Sequence, residues 1–259
     1  MKLLALDTAT ENCSVALMID TTLQTREVEM ERGHAERILP MIDELLAEAG
    51  ITLKDLDAIA FGRGPGSFTG VRLGSTVTQG LAFGAGLKVV PISDLQAVAQ
   101  RVIDADPTAD SSGSLPDSPT STPTRILVCN DARMSEVYWA CYERGPDGLA
   151  RLEGEERVSK PTEVKLPTGW VTAAAAGRGF KAYGEALRVA VPSVPFALNA
   201  QVSPDPIHYL PRATEIARLA MPAVRAGRLL NAEEALPVYL RDNVAHVPQP
   251  SAKPHGHSS

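Results

Sequence analysis

Three groups of residues in this chain could do chemistry. The first is Asp7-Thr8-Ala9-Thr10, a polar turn that closes the apolar run from Leu3 to Asp7. A carboxylate flanked by hydroxyls can face a phosphate. It can equally accept hydrogen bonds from neighbouring backbone N–H groups, and on residue types alone that local turn is the preferred reading. The second is Gly62-Arg63-Gly64-Pro65-Gly66-Ser67-Phe68-Thr69-Gly70, a glycine-rich loop between a strand pattern and a helix pattern. Backbone N–H groups there could cradle an anion. The loop lacks the lysine ending of a P-loop and the dinucleotide-binding glycine spacing, so a tight turn that lets a helix pack closely is the stronger reading. Ser67 suits an N-cap, and no GxSxG elbow surrounds it.

The third group is the histidines and cysteines. His34, His208, His246, His255 and His257 form no HExxH and no pair at metal-binding spacing, and none lies between His34 and His208. A hydrolytic zinc site needs convergent ligands with one position open. Cys13, Cys129 and Cys141 are odd in number and widely spaced, without CxxC. They read as small buried hydrophobes in a reducing compartment.

The elements that must position these groups follow from periodicity. Leu3–Asp7, Cys13–Ile19 and Thr22–Met30 read as strands of a meander. His34–Ala49 carries Ile38, Leu39, Ile42, Leu45 and Leu46 at helical spacing, with Met41 off that stripe, Pro40 inside and Gly50 as a stop. Thr52 and Asp55 have capping-box spacing. Ala58–Phe61 reads as a strand, Val71–Ala85 as a helix bearing Gly74, Gly80 and Gly84 after Gly70, Leu87–Ile92 as a strand and Asp94–Ile103 as a helix. The glycines, each costing about 1 kcal/mol in a helix, suggest close approach of another backbone. Further on, 125–130, 136–142 and 173–177 read as strands and Thr214–Ala226 as a helix disturbed by Pro222. Eighteen of the 21 residues from Asp104 to Thr124 are Asp, Pro, Ser, Thr or Gly, so this stretch is expected to be a disordered insertion. The expected division is a first lobe 1–103, the insertion 104–124, a second lobe 125–244 and a flexible tail 245–259.

The bulk numbers narrow the function. The 259 residues are 44% hydrophobic, enough for a sizeable core. The net charge of −6 disfavours a free-standing binder of phosphate backbones; any RNA contact would depend on a partner's basic surface. The N-terminus turns polar too early for a signal peptide and no apolar run reaches membrane-spanning length, so the expectation is a cytoplasmic protein with no membrane association.

Strands followed by helix–strand alternation point to an α/β sheet covered by helices. The mixed order suits, by analogy, the actin-like fold of two ribonuclease-H-like lobes. The sequence resembles the TsaB (YeaZ) family through Leu4–Thr10, His34–Ile42, Gly62–Arg72, Asp131–Tyr138 and Pro237–Arg241, a match running from Met1 to about Val244. The resemblance implies the actin-like fold and no catalysis by this chain. It implies partnership with the related transferase TsaD and the ATPase TsaE, contact with tRNA only through the complex, and self-pairing as a homodimer when TsaD is absent. Its partner surface would lie on the two N-terminal helices, for which we take His34, Ile38, Met41, Ile42, Leu45, Gly70, Gly74, Val77 and Leu81. Periodicity cannot separate such an interface from ordinary core. Asp7, Thr8 and Thr10 would be a relic nucleotide loop. No cofactor is expected on this chain alone, although a nucleotide could sit at an interface of the complex.

Two other functions compete. A metalloprotease needs a metal triad. The strand after the second helix is followed by Ser93-Asp94-Leu95-Gln96, without the histidine pair that the transferase relatives carry there. An autonomous actin-like ATPase could begin at Asp7 but needs a second phosphate loop, which the sequence does not reveal.

Overall fold

Residues 1–105, 124–196 and 205–241 are described by the computed structural model. Most of the insertion and all of the tail lie outside them, as do His246, His255 and His257.

The meander forms as its alternation requires. β1 (Lys2–Asp7), β2 (Asn12–Ile19) and β3 (Thr22–Glu29) pair antiparallel, and β4 (Ala58–Gly62) and β5 (Lys88–Ile92) add parallel strands beside β1. The sheet order is β3-β2-β1-β4-β5. Side chains alternate between its faces. Leu4, Leu6, Val15 and Leu17 face α1 (His34–Ala49) and α2 (Phe68–Ala85). Leu3, Ala5, Ala16 and Met18 face α5 (Ala213–Arg225). α1 runs unbroken through the exposed Pro40 and ends at Gly50, whose positive φ of 66° suits glycine.

A second sheet, β8-β7-β6-β9, is built from β6 (Arg125–Asp131), β7 (Val137–Arg144), β8 (Ala150–Ser159) and β9 (Ala174–Ala176). One face packs on α3 (Asp94–Asp104), the other on α4 (Gly179–Ala190). The architecture is thus two mixed sheets, each covered by helices, in the actin-like arrangement expected.

The division of the chain needs one correction. α5, assigned by position to the second lobe, lies on the first sheet through Ala213, Ile216, Ala217 and Ala220. Leu230 bridges to Val89, closing the β5 edge, and Val238 N–H donates to Arg63 O at 2.7 Å. The apolar stripe of α5 matches the open face of the first sheet, and burial outweighs chain order. Two elements went unread. β8 is an outer strand of ten residues, mostly exposed and charge-rich, without apolar alternation. α4 carries Gly179 and Gly184 and a kink at Tyr183, which mask its period.

Candidate functional site

The ends of β1 and β6 meet across a cleft of about 680 Å3. Its walls are the β1–β2 turn (8–11), the approach to α1 (31–36), the glycine loop with the start of α2 (65–70) and the β6–β7 turn (130–133), with Tyr138 and Arg241. Five sequence runs far apart in the chain therefore converge on one place.

The first-lobe side of this cleft is a joint. Asp7 is wholly buried and its Oδ1 accepts from Ala9 N–H at 2.9 Å. Thr8 Oγ1 donates to Gly70 O at 2.7 Å, and Thr10 Oγ1 accepts from Asn12 N–H at 3.3 Å. Ser67 caps α2 by accepting from Gly70 N–H, and its own N–H donates to Ala9 O at 2.7 Å. A Cβ on Gly70 would run into Thr8 O, one on Gly66 would come within 2.5 Å of Ala9 O, and one on Gly74 would lie 3.0 Å from Thr8 Oγ1. Glycine at these positions lets α2 rest on the turn. Asp7 Oδ1 and the hydroxyls of Thr8 and Thr10, which a phosphate-facing turn would present, are engaged inside the fold. His34 belongs to the same joint: its Nε2 is 2.9 Å from Thr10 O.

The second-lobe side is open. Asp131 Oδ1 accepts from Arg133 N–H at 2.8 Å and from Tyr183 O–H at 3.0 Å. Arg133, Met134 and Ser135 all have positive φ, 61°, 54° and 59°, a rare run for residues with side chains. Arg241 braces this turn, donating to Ala132 O and pairing with Glu136. This is the counterpart of the β1–β2 turn that the sequence did not disclose. Across the mouth, Glu11 lies 3.4 Å from Arg133 and 3.8 Å from Arg178.

The helix residues read as partner surface divide. Ile38, Met41, Ile42 and Leu45 are buried in the first lobe's own core, so they do not face outward. Met41 joins that stripe, whereas Leu39, read as part of it, is 45% exposed. A helix on a sheet must bury one apolar stripe, and this is the one. Gly70 and Gly74 are buried against the turn, and Val77 and Leu81 are half-buried beside the core. The outward surface includes Leu39, Asp43 and Ala47 on α1 and Thr76, Gly80, Phe83 and Gly84 on α2, beside charged residues such as Glu44, Glu48 and Arg72; Phe83 is 83% exposed. Nothing lies within 4 Å of a Cβ added at Gly80 or Gly84, so the close backbone approach inferred for the helix glycines holds inside the chain for Gly70 alone. A groove of about 830 Å3 runs between the C-terminal halves of α1 and α2, lined by Leu46, Ile51, Leu53, Gly80, Leu81 and Gly84 among others.

Cys13, Cys129 and Cys141 are buried and unpaired, and burial pushes the Cys13 thiol up to about 11 and the Cys141 thiol to about 12. Among the described residues no three His, Cys, Asp or Glu side chains converge as metal ligands would, and no helix is long and apolar enough to cross a membrane.

A family model described as tRNA N6-adenosine threonylcarbamoyltransferase, TsaD, matches residues 28–249. The tRNA threonylcarbamoyladenosine biosynthesis protein TsaB of Escherichia coli K12 is 39% identical over 95% of this chain and 96% of its own length. Its namesake in Haemophilus influenzae is 36% identical over 94% and 95%. The chain belongs to the TsaB family. The solved YeaZ structure from Pseudomonas aeruginosa shares 41% identity, a TM-score of 0.75, and 92% of this chain with 99% of its own. The five runs that signal the TsaB family in sequence all reach the cleft or its immediate supports: Asp7 lies under the β1–β2 turn, and Tyr239 stacks on Phe68 with ring centroids 5.8 Å apart.

Proposed function

We propose that this chain acts in tRNA threonylcarbamoyladenosine synthesis as a non-catalytic subunit that binds and activates the transferase TsaD. The names of its near full-length relatives support the pathway. The observation that carries the binding role is the outward face of α1 and α2: Leu39 and Phe83 stand exposed beside the open backbone at Gly80 and Gly84 and the apolar groove between the helices. Large exposed apolar side chains around a groove favour a partner surface. A helix laid across Gly80 and Gly84 could come close to the backbone. In this reading the same face serves TsaD or, without it, a second copy. TsaE joins the complex, tRNA is met only through it, and this chain needs no cofactor of its own. The involvement of Asp7, Thr8 and Thr10 in internal hydrogen bonds supports the non-catalytic role.

The decisive experiment is tRNA threonylcarbamoylation by the cognate TsaD and TsaE, supplied with the adenylate donor, with and without this chain. Modification should require the chain and persist with Asp131→Asn. Leu39→Glu and Phe83→Glu should leave the monomer folded and cut TsaD binding at least tenfold, whereas Ile42→Glu should unfold it. Modification indifferent to the chain would overturn the proposal. The facing turns at the cleft give the ATPase reading its one support; ATP turnover by the isolated chain, lost in Asp7→Asn, would establish that reading instead.

A further inference from the structure

Asp7 and Asp94 are both wholly buried, at the end of β1 and in the first turn of α3. Each carboxylate spends one oxygen on the backbone: Asp7 Oδ1 accepts from Ala9 N–H, and Asp94 Oδ2 from Gly64 N–H at 2.5 Å. The other oxygens, Asp7 Oδ2 and Asp94 Oδ1, have no donor among the described residues. The two side chains crowd the same point. A Cβ on Gly62 would run into Asp94 Oδ1 and lie 2.6 Å from Asp7 Oδ1, and the carboxyls are within hydrogen-bonding reach of each other.

Two carboxylates facing each other out of water cannot both stay ionised, because repulsion and lost hydration add. The surroundings do not supply the missing charge. From β2, Cys13 faces Asp7; from the glycine loop, Arg63 is the cation that acts on Asp94 among the described residues, and it is engaged by Glu156 at 3.0 Å. The α3 N-terminus favours an anion at Asp94, yet burial and Asp7 together outweigh it, holding Asp94 well above the usual carboxylate range. Burial also raises Asp7, to about 6, while hydrogen bonds, first from Ala9 N–H and then from Asp94, pull it back down.

We infer that Asp94 is a neutral carboxylic acid whose O–H donates to the Asp7 carboxylate, so that one shared proton clasps β1 to α3. The clasp gives Asp94 Oδ1, which has no other partner among the described residues, a role beside Asp7 Oδ1. It also explains Gly62, since any side chain there would push the two groups apart. Its position gives it mechanical reach: β1 is central to the first sheet, whereas Leu95, Val98 and Val102 of α3 pack on the second. The proton therefore ties one lobe to the helix that carries the other, directly beneath the glycine loop. This inference is independent of any role for TsaD.

The test compares three full-length proteins by thermal unfolding near neutral pH, with a spectroscopic readout beside it. Asparagine at position 94 reproduces the neutral acid: its Oδ1 can accept from Gly64 and its Nδ2 can donate to Asp7. Asp94→Asn should unfold within about 2 °C of the wild type or above it, whereas Asp94→Ala should fall by roughly 5 °C or more. In protein labelled with 13C at aspartate Cγ, one resonance should keep its protonated shift at neutral pH in the wild type and vanish in Asp94→Asn. Equal losses in Asp94→Asn and Asp94→Ala would overturn the clasp. So would a wild-type spectrum in which every aspartate is ionised at neutral pH, a result that requires no variant to fold.

Discussion

Each lobe ends its first strand on an aspartate, Asp7 or Asp131, and each then brings a glycine-lined segment back over that strand end. In the first lobe the segment is the long loop Gly62–Gly70, which drops α2 onto the turn and seals Asp7 from water. In the second it is the three residues Gly177-Arg178-Gly179, whose glycines would clash with Cys129 O if they carried a Cβ. That shorter segment covers the strand but not the turn. Asp131 stays partly exposed, and the chain beyond it loops outward through Arg133, Met134 and Ser135. The same motif built twice thus gives one closed joint and one open loop, and the length of the glycine segment makes the difference.

The largest expected effect would test how tightly the closed joint is packed. Gly62→Ala places a methyl against two carboxyls and should destabilise by about 3 kcal/mol or more in chemical denaturation. Gly177→Ala meets Asn130 Oδ1 at 2.5 Å with φ at 94°, so a similar loss there would mean the strand ends are equally tight and only the turns differ.

Next in size is a pH effect confined to the first lobe. The folded pKa of Asp94 is raised, so above about pH 4 the folded protein holds a proton that the unfolded chain has released. Its contribution to stability is full below the unfolded value and declines as pH rises towards the folded one. Asp94→Asn has no such loss, so its stability relative to wild type should grow with pH by up to about 1.4 kcal/mol per unit. Denaturant midpoints from mildly acidic to mildly alkaline buffer would measure this; a constant difference would contradict it.

Smaller still is the strain in the open loop. Met134→Gly removes the penalty of a left-handed side-chain residue and should stabilise by about 1 kcal/mol, less whatever the glycine gains in the unfolded chain. A clear loss would mean that the contact between Met134 Sδ and Arg241 matters more than the backbone. Least is Glu11→Gln, which takes one carboxylate from Arg133 and Arg178 across the cleft mouth while Asp131 and Glu29 remain paired with them. It should cost under about 1 kcal/mol and matter only at low salt.

Local chemistry was legible in the sequence. The bounds of α1, the Ser67 cap and the Thr52–Asp55 capping box follow from residues a few positions apart, and each appears where expected. β8 was not legible, because an outer strand exposed on most of its length has no need of apolar alternation. At the candidate site the limits were of another kind. Ile38, Met41, Ile42 and Leu45 form a stripe whether they meet the chain's own sheet or another protein, and only the fold decides. The facing of Asp7 and Asp94 joins residues 87 positions apart in a geometry no local pattern encodes.

The borders of the two sheets have a consequence for how copies of this protein can go astray. β3 and β8 are outer strands, with no strand paired to their outer side among the described residues, and both are studded with charge: Arg26, Glu27 and Glu29 on one, Arg151, Glu153, Glu155, Glu156 and Arg157 on the other. Such borders resist strand-to-strand stacking into fibrils. Concentrated solutions should therefore fail, if at all, by reversible pairing of helical surfaces rather than by amyloid growth, and a charge-neutralised β8 would be the variant to watch for fibres.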